Sequence, residues 1–297
     1  MNKYLFKLLF NPFINNAYSR ILRPFCNHLP DRMKIPVQCV FRLETGKTGV
    51  IRIKGNYTSY VTRQLFWNGM KGFEYDSSRL FMELAKRSKV FIDIGANFGY
   101  YSLLGKLANP GLHVIAFEPF PDALKALRAN LSLNRIYDVQ VEESGLFNTT
   151  GNAMMSYRIN KDFPEILQLA GNNTLLQCSD DRTYRVQIGV ERLDDYVNRK
   201  KIPPIDLIKI DTESTEHLIL EGAFETLKKN RPVILTEVLA GGMNRDMTGI
   251  LENLNYSSFG IRKHDIIKVK EFRSEGTESN FLIVPDEMKN AIEKIRF

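Results

Sequence analysis

A chain of 297 residues with 43% hydrophobic and 25% charged residues can bury one large core. Its longest apolar N-terminal piece, Tyr4 to Phe10, is broken by Lys7 and falls short of the roughly 20 apolar residues of a membrane span. The net charge of +7 is concentrated in residues 1–34, where Lys3, Lys7, Arg20, Arg23, Arg32 and Lys34 face Asp31 alone.

The sequence Asn11-Pro12-Phe13 after Phe10 offers no small-residue cleavage site, so the expected location is cytoplasmic. The basic leader with Tyr4, Leu5, Phe6, Leu8, Leu9 and Phe10 reads as a helix packed on its own domain. Its alternative is a peripheral contact with an anionic membrane surface. Cys26, Cys39 and Cys178 are scattered and odd in number, which fits neither a disulfide framework nor a zinc site.

Val37 to Leu43 and Gly49 to Ile53, separated by Thr45-Gly46-Lys47, read as a β-hairpin. Asp76-Ser77-Ser78 offers a helix N-cap, with Leu80, Phe81, Leu84 and Ala85 at helical spacing behind it. From Val90 onward, short apolar runs alternate with amphipathic stretches, the pattern of a parallel sheet covered on both faces. The expected strands are Val90 to Ile94, His113 to Phe117, Val139 to Glu142, Asp206 to Ile210 and Val233 to Glu237. The helices between them run at about Phe98 to Ala108, Pro121 to Leu133 and Glu216 to Lys228.

Thr149 to Asp181 reads as an insertion, Thr183 to Glu191 as an extended strand, and Leu193 to Arg199 as a short helix. Tyr256 to Ile261, Ile266 to Lys270 and Phe281 to Val284 predict antiparallel strands closing the sheet edge. The fold class is α/β: a doubly wound, Rossmann-like sheet. Residues 1–72 form an N-terminal extension, and 73–297 a single domain with the insertion at about 149–181.

In such sheets ligands sit at the C-terminal ends of strands where the order reverses. The first strand ends in Asp93-Ile94-Gly95-Ala96-Asn97-Phe98-Gly99, with Tyr100 next. Gly95 and Gly99 would let the backbone approach a ligand. Asp93 would repel a dinucleotide pyrophosphate, which prefers a bare helix N-terminus. It would attract the ammonium and sulfonium of S-adenosylmethionine (SAM). The second strand ends in Phe117-Glu118-Pro119, and Glu118 is the expected ribose ligand. Glu143 and Ser144, after the third strand, are the candidates beside adenine.

VFIDIGANFGYYSL, AFEPFPDALKALRANLSLN, VERLDDYV, IDLIKIDTESTEHLILEGAFETLKKNRPVILTEV and the closing NFLIVP, in this order, resemble the FkbM-type SAM-dependent methyltransferases. The resemblance covers roughly Phe73 to Pro285. It implies a class I methyltransferase fold and O-methylation of sugars, polyketides or other small molecules. Where that family carries a glycine between the acidic residues after the fourth strand, this chain carries Ser214, in Asp211-Thr212-Glu213-Ser214-Thr215-Glu216.

Methyl transfer to a hydroxyl needs the acceptor oxygen near the methyl group and a base for its proton. Asp211, Glu213, Glu216, His217 and Glu237 are the candidates. If Glu213 opens a helix, Glu213, Glu216 and His217 share one face. Metal-free base catalysis is the favoured expectation. The alternative is Mg²⁺ held by Asp211, Glu213 and Glu237. Acceptor recognition falls to the insertion, the Leu239 to Arg245 loop and the side chains of Tyr157, Asn172, Asn173 and Arg245. Two rivals remain: an RNA or protein methyltransferase, suggested by the isoelectric point near 9.2, and a non-catalytic SAM-binding module.

Overall fold

The computed structural model describes residues 11–30, 33–159, 169, 183–238, 244–262, 264–270, 272, 279–292, 295 and 297. Its centre is an eight-stranded sheet. In chain order the strands are β3 (Val90–Ile94), β4 (His113–Phe117), β5 (Gln140–Glu142), β9 (Leu207–Ile210), β10 (Val233–Glu237), β11 (Tyr256–Arg262), β12 (Asp265–Val269) and β13 (Asn280–Pro285). The spatial order is β12-β11-β13-β10-β9-β3-β4-β5. Strands β5, β4, β3, β9 and β10 pair in parallel, and β13, β11 and β12 close the edge in antiparallel fashion. This is the predicted doubly wound sheet with its antiparallel C-terminal edge.

Every residue of β3 and β9 is buried, as expected of central strands covered on both faces. Alternation splits them between two cores. Phe91, Val114, Ala116, Leu207 and Leu235 face one layer, and Ile92, Ile94, Ile115, Phe117, Ile208, Ile210 and Ile234 the other.

The first layer receives the hairpin β1 (Val40–Glu44) and β2 (Val50–Lys54), and helices α2 (Tyr60–Asn68), α3 (Tyr75–Ala85), α4 (Tyr100–Ala108) and α5 (Pro121–Leu133). The hairpin lies where the sequence predicts it, paired from Val40↔Lys54 to Glu44↔Val50. Phe41, Leu43, Ile51 and Ile53 join Leu103 and Leu104 of α4 in one hydrophobic cluster. Asn130 of α5 and its C-cap Asn134 accept from the Lys54 and Arg52 amides, so the extension is stitched to the sheet's helical layer. Ahead of the hairpin lie α1 (Pro12–Leu22) and a 3-10 turn at Arg23–His28. Helix α1 falls within the expected leader, residues 1–34, of which residues 1–10, 31 and 32 lie outside the described residues.

The second layer holds α6 (Leu193–Lys200), α7 (Glu216–Gly222), α8 (Phe224–Asn230) and α9 (Asn244–Asn253). A separate three-stranded sheet has the order β6 (Gly145–Leu146), β8 (Thr183–Glu191), β7 (Gly151–Arg158). Part of the expected insertion is therefore a regular strand, with β7 antiparallel to β8 from Gly151↔Val190 to Arg158↔Thr183. Other than Leu169, residues 160–182 lie outside the described residues.

Two local expectations need correction. Helix α3 starts at Tyr75, one residue before Asp76, and its N-cap Glu74 takes a left-handed backbone (φ 41°). Ser77 and Ser78 are therefore buried inside the helix, and Ser78 Oγ is 3.1 Å from Tyr100 Oη. The single helix expected from Glu216 to Lys228 is two helices that break at Ala223. There Gly222 packs so closely on Phe147 that an added Cβ would stand 2.0 Å from its carbonyl oxygen. Helices α2 and α9 have no counterpart in the sequence reading.

Candidate active site

The order of the sheet reverses between β3 and β9, and a cavity of about 440 Å³ opens at the C-terminal ends of these strands and of β4 and β10. Its lining includes Ile94, Gly95 and Asn97 after β3, Glu118 and Pro119 after β4, Gly145 and Leu146, Asp211, Thr212, Glu213 and Thr215 after β9, and Glu237 at the end of β10. Tyr60 and Val61 from the extension, with Phe73, Met155 and Leu169, supply an apolar wall.

Glu118 is the best-anchored acid here. Asn97 N donates to its Oε2 at 2.7 Å and Phe120 N to its Oε1 at 2.8 Å. Burial still pushes its carboxyl up to about 7, against the pull of these two amides. Asn97 has φ 49°, and its buried Oδ1 has no hydrogen-bond partner among the described residues, so the cavity wall carries an acceptor in want of a donor.

The glycine turn serves the protein before any ligand. Gly95 has φ 77°, and a Cβ there would lie 2.0 Å from the Asp211 carbonyl oxygen; at Gly99 it would lie 2.5 Å from a Leu127 methyl. These glycines let the β3 turn close on the β9 end and on α5, rather than only letting a backbone approach a ligand.

Several expected ligands sit elsewhere. Asp93 is buried, does not line the cavity, and accepts from Ser102 Oγ at 2.6 Å; burial raises its carboxyl to about 6. Ala96 and Tyr100 are buried in the core beneath the turn. Glu143 leans outward to pair with Arg128, and Ser144 Oγ donates to Glu191 Oε1 at 3.1 Å. Pro119, Gly145 and Leu146 line the cavity at that end instead.

Glu213, Glu216 and His217 share no helical face. Glu213 and Ser214 both take positive φ (56° and 82°), and the helix starts only at Glu216. Glu216 Oε1 accepts from Thr212 N, Thr212 Oγ1 and Ser214 N at 3.2 to 3.3 Å, so this carboxylate braces its own turn. His217 is buried and does not line the cavity. The family glycine that Ser214 replaces has its reason here, since the turn requires a left-handed residue.

Two residues that the sequence reading passed over complete the acidic end. Lys209 is fully buried, its Nζ 3.7 Å from Asp211 Oδ2 and 5.1 Å from the centre of the Tyr101 ring, with no hydrogen-bond partner among the described residues. Burial opposes its charge, but Glu74, Asp211, Glu237 and Asp93 outweigh that and hold the ammonium above its ordinary range. Glu74 accepts from Tyr101 Oη and from Asn280 Nδ2, and one oxygen each of Glu74, Asp211 and Glu237 lie within 4.8 Å of one another. Among the described residues this trio, rather than Asp211, Glu213 and Glu237, is the carboxylate cluster. Lys209 already brings a cation to it, so a divalent ion would enter beside a positive charge. A charge inside the apolar run Leu207-Ile208-Lys209-Ile210 is a signal for Lys209; Glu74 lies far upstream of the motifs and has none.

Burial and the neighbouring acids raise Glu213 to about 8 and Glu237 to about 7; Ser279 Oγ donates to Glu237 Oε1 at 2.8 Å. Tyr157 stacks near Phe120 (5.0 Å between ring centres) and does not line the cavity. Asn172, Asn173 and residues 239–243 lie outside the described residues, as do the side chains of 244–246.

The family model described as the methyltransferase FkbM domain matches residues 93–258. The chain belongs to the FkbM methyltransferase family. FkbM relatives include the 31-O-demethyl-FK506 methyltransferase FkbM of Streptomyces tacrolimicus, 30% identical over 153 residues, which are 45% of this chain and 58% of that protein. The hexuronic acid methyltransferase AglP of Haloferax volcanii is 27% identical over 186 residues, 62% of this chain and 70% of its own. A solved FkbM methyltransferase from Methylobacillus flagellatus shares 17% identity over 66% of this chain and 43% of its own, with a TM-score of 0.42. The match to the FkbM protein of Streptomyces spans less than two thirds of that relative. No helix among the described residues is long and apolar enough to cross a membrane.

Proposed function

We propose that this chain transfers the methyl group of SAM to a hydroxyl oxygen of a small molecule or saccharide. The observation that carries this reading is the single cavity that has Glu118 at the end of β4 and Asp211, Glu213 and Glu237 at the ends of β9 and β10. An acidic lining suits a cofactor bearing an ammonium and a sulfonium, and the unsatisfied Asn97 Oδ1 suits a ligand with donors. The relatives named as methyltransferases of 31-O-demethyl-FK506 and of hexuronic acid support a small-molecule or saccharide acceptor.

Glu118 would hold the ribose hydroxyls, and Pro119, Gly145 and Leu146 would flank the adenine. When bound, SAM supplies an electrophilic methyl group. The two amides that fix Glu118 leave its carboxylate oriented before any ligand arrives. Glu213 takes the acceptor proton at its carboxylate oxygens, because a carboxyl raised to about 8 is basic enough to do so near neutral pH. Lys209 places its ammonium 3.7 Å from Asp211 Oδ2 and opposes the burial that raises the Glu237 carboxyl. Tyr60, Val61, Phe73 and Met155 exclude water from the apolar wall.

The test is transfer of labelled methyl from SAM to uronic-acid oligosaccharides and to a fractionated small-molecule extract, with the product identified by mass spectrometry. Label on an oxygen of a small molecule or glycan is expected; label only in protein or RNA sinks this reading.

A further inference from the structure

Helix α1 is built to present one apolar face outward. Asn11 caps it, accepting from Phe13 N and Ile14 N, and Pro12 stands in the first turn. Asn15 and Ser19 turn inward, and Asn15 Nδ2 donates to Pro36 O at 3.0 Å. The opposite face carries Phe13, Ala17 and Ile21 at four-residue spacing, and the 3-10 turn continues it with Phe25. Phe13 is 89%, Ile21 66% and Phe25 57% exposed. Single exposed apolar residues are ordinary, but large ones in line on one face mark an interaction surface.

This stripe runs into a basic groove. Arg23, between Ile21 and Phe25, lines a groove of about 1140 Å³ in which six cations, Arg42, Lys47 and Lys71 among them, outnumber the acids Glu44 and Glu83. Its guanidinium is fixed 4.7 Å above the Phe66 ring and donates to Arg42 O at 2.8 Å. Arg42, Lys47 and Lys71 are exposed, and none forms an ion pair among the described residues.

We propose that the α1 stripe and this groove together seat the protein on an anionic lipid bilayer, with Phe13, Ile21 and Phe25 entering the acyl boundary and Arg42, Lys47 and Lys71 meeting phosphate headgroups. Apolar insertion and headgroup attraction add, and each alone gives only weak binding. Nucleic acid would use the cations but gains nothing from an exposed Ile21. A second copy paired across this face would bring two sets of uncompensated cations together.

The test is co-sedimentation of the full chain with phosphatidylcholine vesicles and with phosphatidylcholine–phosphatidylglycerol vesicles. Sedimentation with the mixed vesicles alone is expected, weakening as salt rises. Phe13→Asp with Ile21→Asp, and separately Lys47→Glu with Lys71→Glu, should each reduce it about tenfold or more, with the circular dichroism spectrum of the wild type retained. Failure to bind mixed vesicles, or binding unchanged in both double variants, overturns the proposal. So does a dimer in light scattering that the Phe13/Ile21 variant splits, or RNA binding that the mixed vesicles do not compete away.

Discussion

Asp93 on β3 and Lys209 on β9 are register partners in adjacent parallel strands, and their side chains project to the same face beneath the strand ends. The positive charge that Asp93 attracts in the folded chain is therefore Lys209, whose proximity lowers the carboxyl while burial raises it. The cavity lining that remains for a cationic cofactor is Glu118 and the acids after β9 and β10.

Removing the ammonium should be costly. Lys209→Met leaves Asp211, Glu237 and Glu74 facing one another without their counter-charge, and breaking such a buried arrangement costs about 3–5 kcal/mol. Thermal unfolding should show a large loss of stability that deepens as pH rises and Glu237, held up to about 7, ionises. Unchanged stability across pH 6 to 9 would mean that the cluster is compensated in some other way.

The raised carboxyls give the rate and the stability opposite pH slopes. Glu213 at about 8 and Glu237 at about 7 hold protons in the folded chain that the unfolded chain releases near 4.5. Stability without ligand therefore falls as pH climbs from about 5 to about 8. Methyl transfer should rise over the upper part of that range as Glu213 ionises. Glu213→Gln should flatten both profiles and lower turnover by about 10²–10⁴-fold while SAM binding is kept. A pH–rate profile of the variant that parallels the wild type would assign the base elsewhere.

Ser214 offers a test on the backbone itself. Its φ of 82° is one that a side chain disfavours by about 1–2 kcal/mol, so Ser214→Gly should raise the melting temperature. Gly95→Ala should act in the opposite sense, because its Cβ would lie 2.0 Å from the Asp211 carbonyl oxygen. Denaturant unfolding of both variants checks the pair.

Periodicity made the sheet legible because its strands are short apolar runs separated by amphipathic helices, and β3, β4 and β10 lie at their predicted positions. The turn residues after β3 and β4 were legible for the same reason: strand ends at the switch point are where ligands meet this architecture. The direction of a side chain was not. A carboxylate at the end of β3 reads alike whether it faces a ligand or, as Asp93 does, a serine hydroxyl in the first turn of α4. Glu216 likewise reads as a base until the three donors from Thr212 and Ser214 appear around it. Glu74 reaches the cluster only through the packing of α3 on the sheet, a contact between segments more than a hundred residues apart.

The most direct test of the cofactor site is titration calorimetry of SAM into the wild type and into Glu118→Ala. Glu118 lines the cavity and is held by two backbone amides, and hydrogen bonds to such a charged group are worth about 1.5–3 kcal/mol. Binding by the wild type, weakened about 10- to 100-fold in a variant that keeps its fold, is the predicted result. Equal affinity in the two proteins, or no binding by the wild type, would contradict the account.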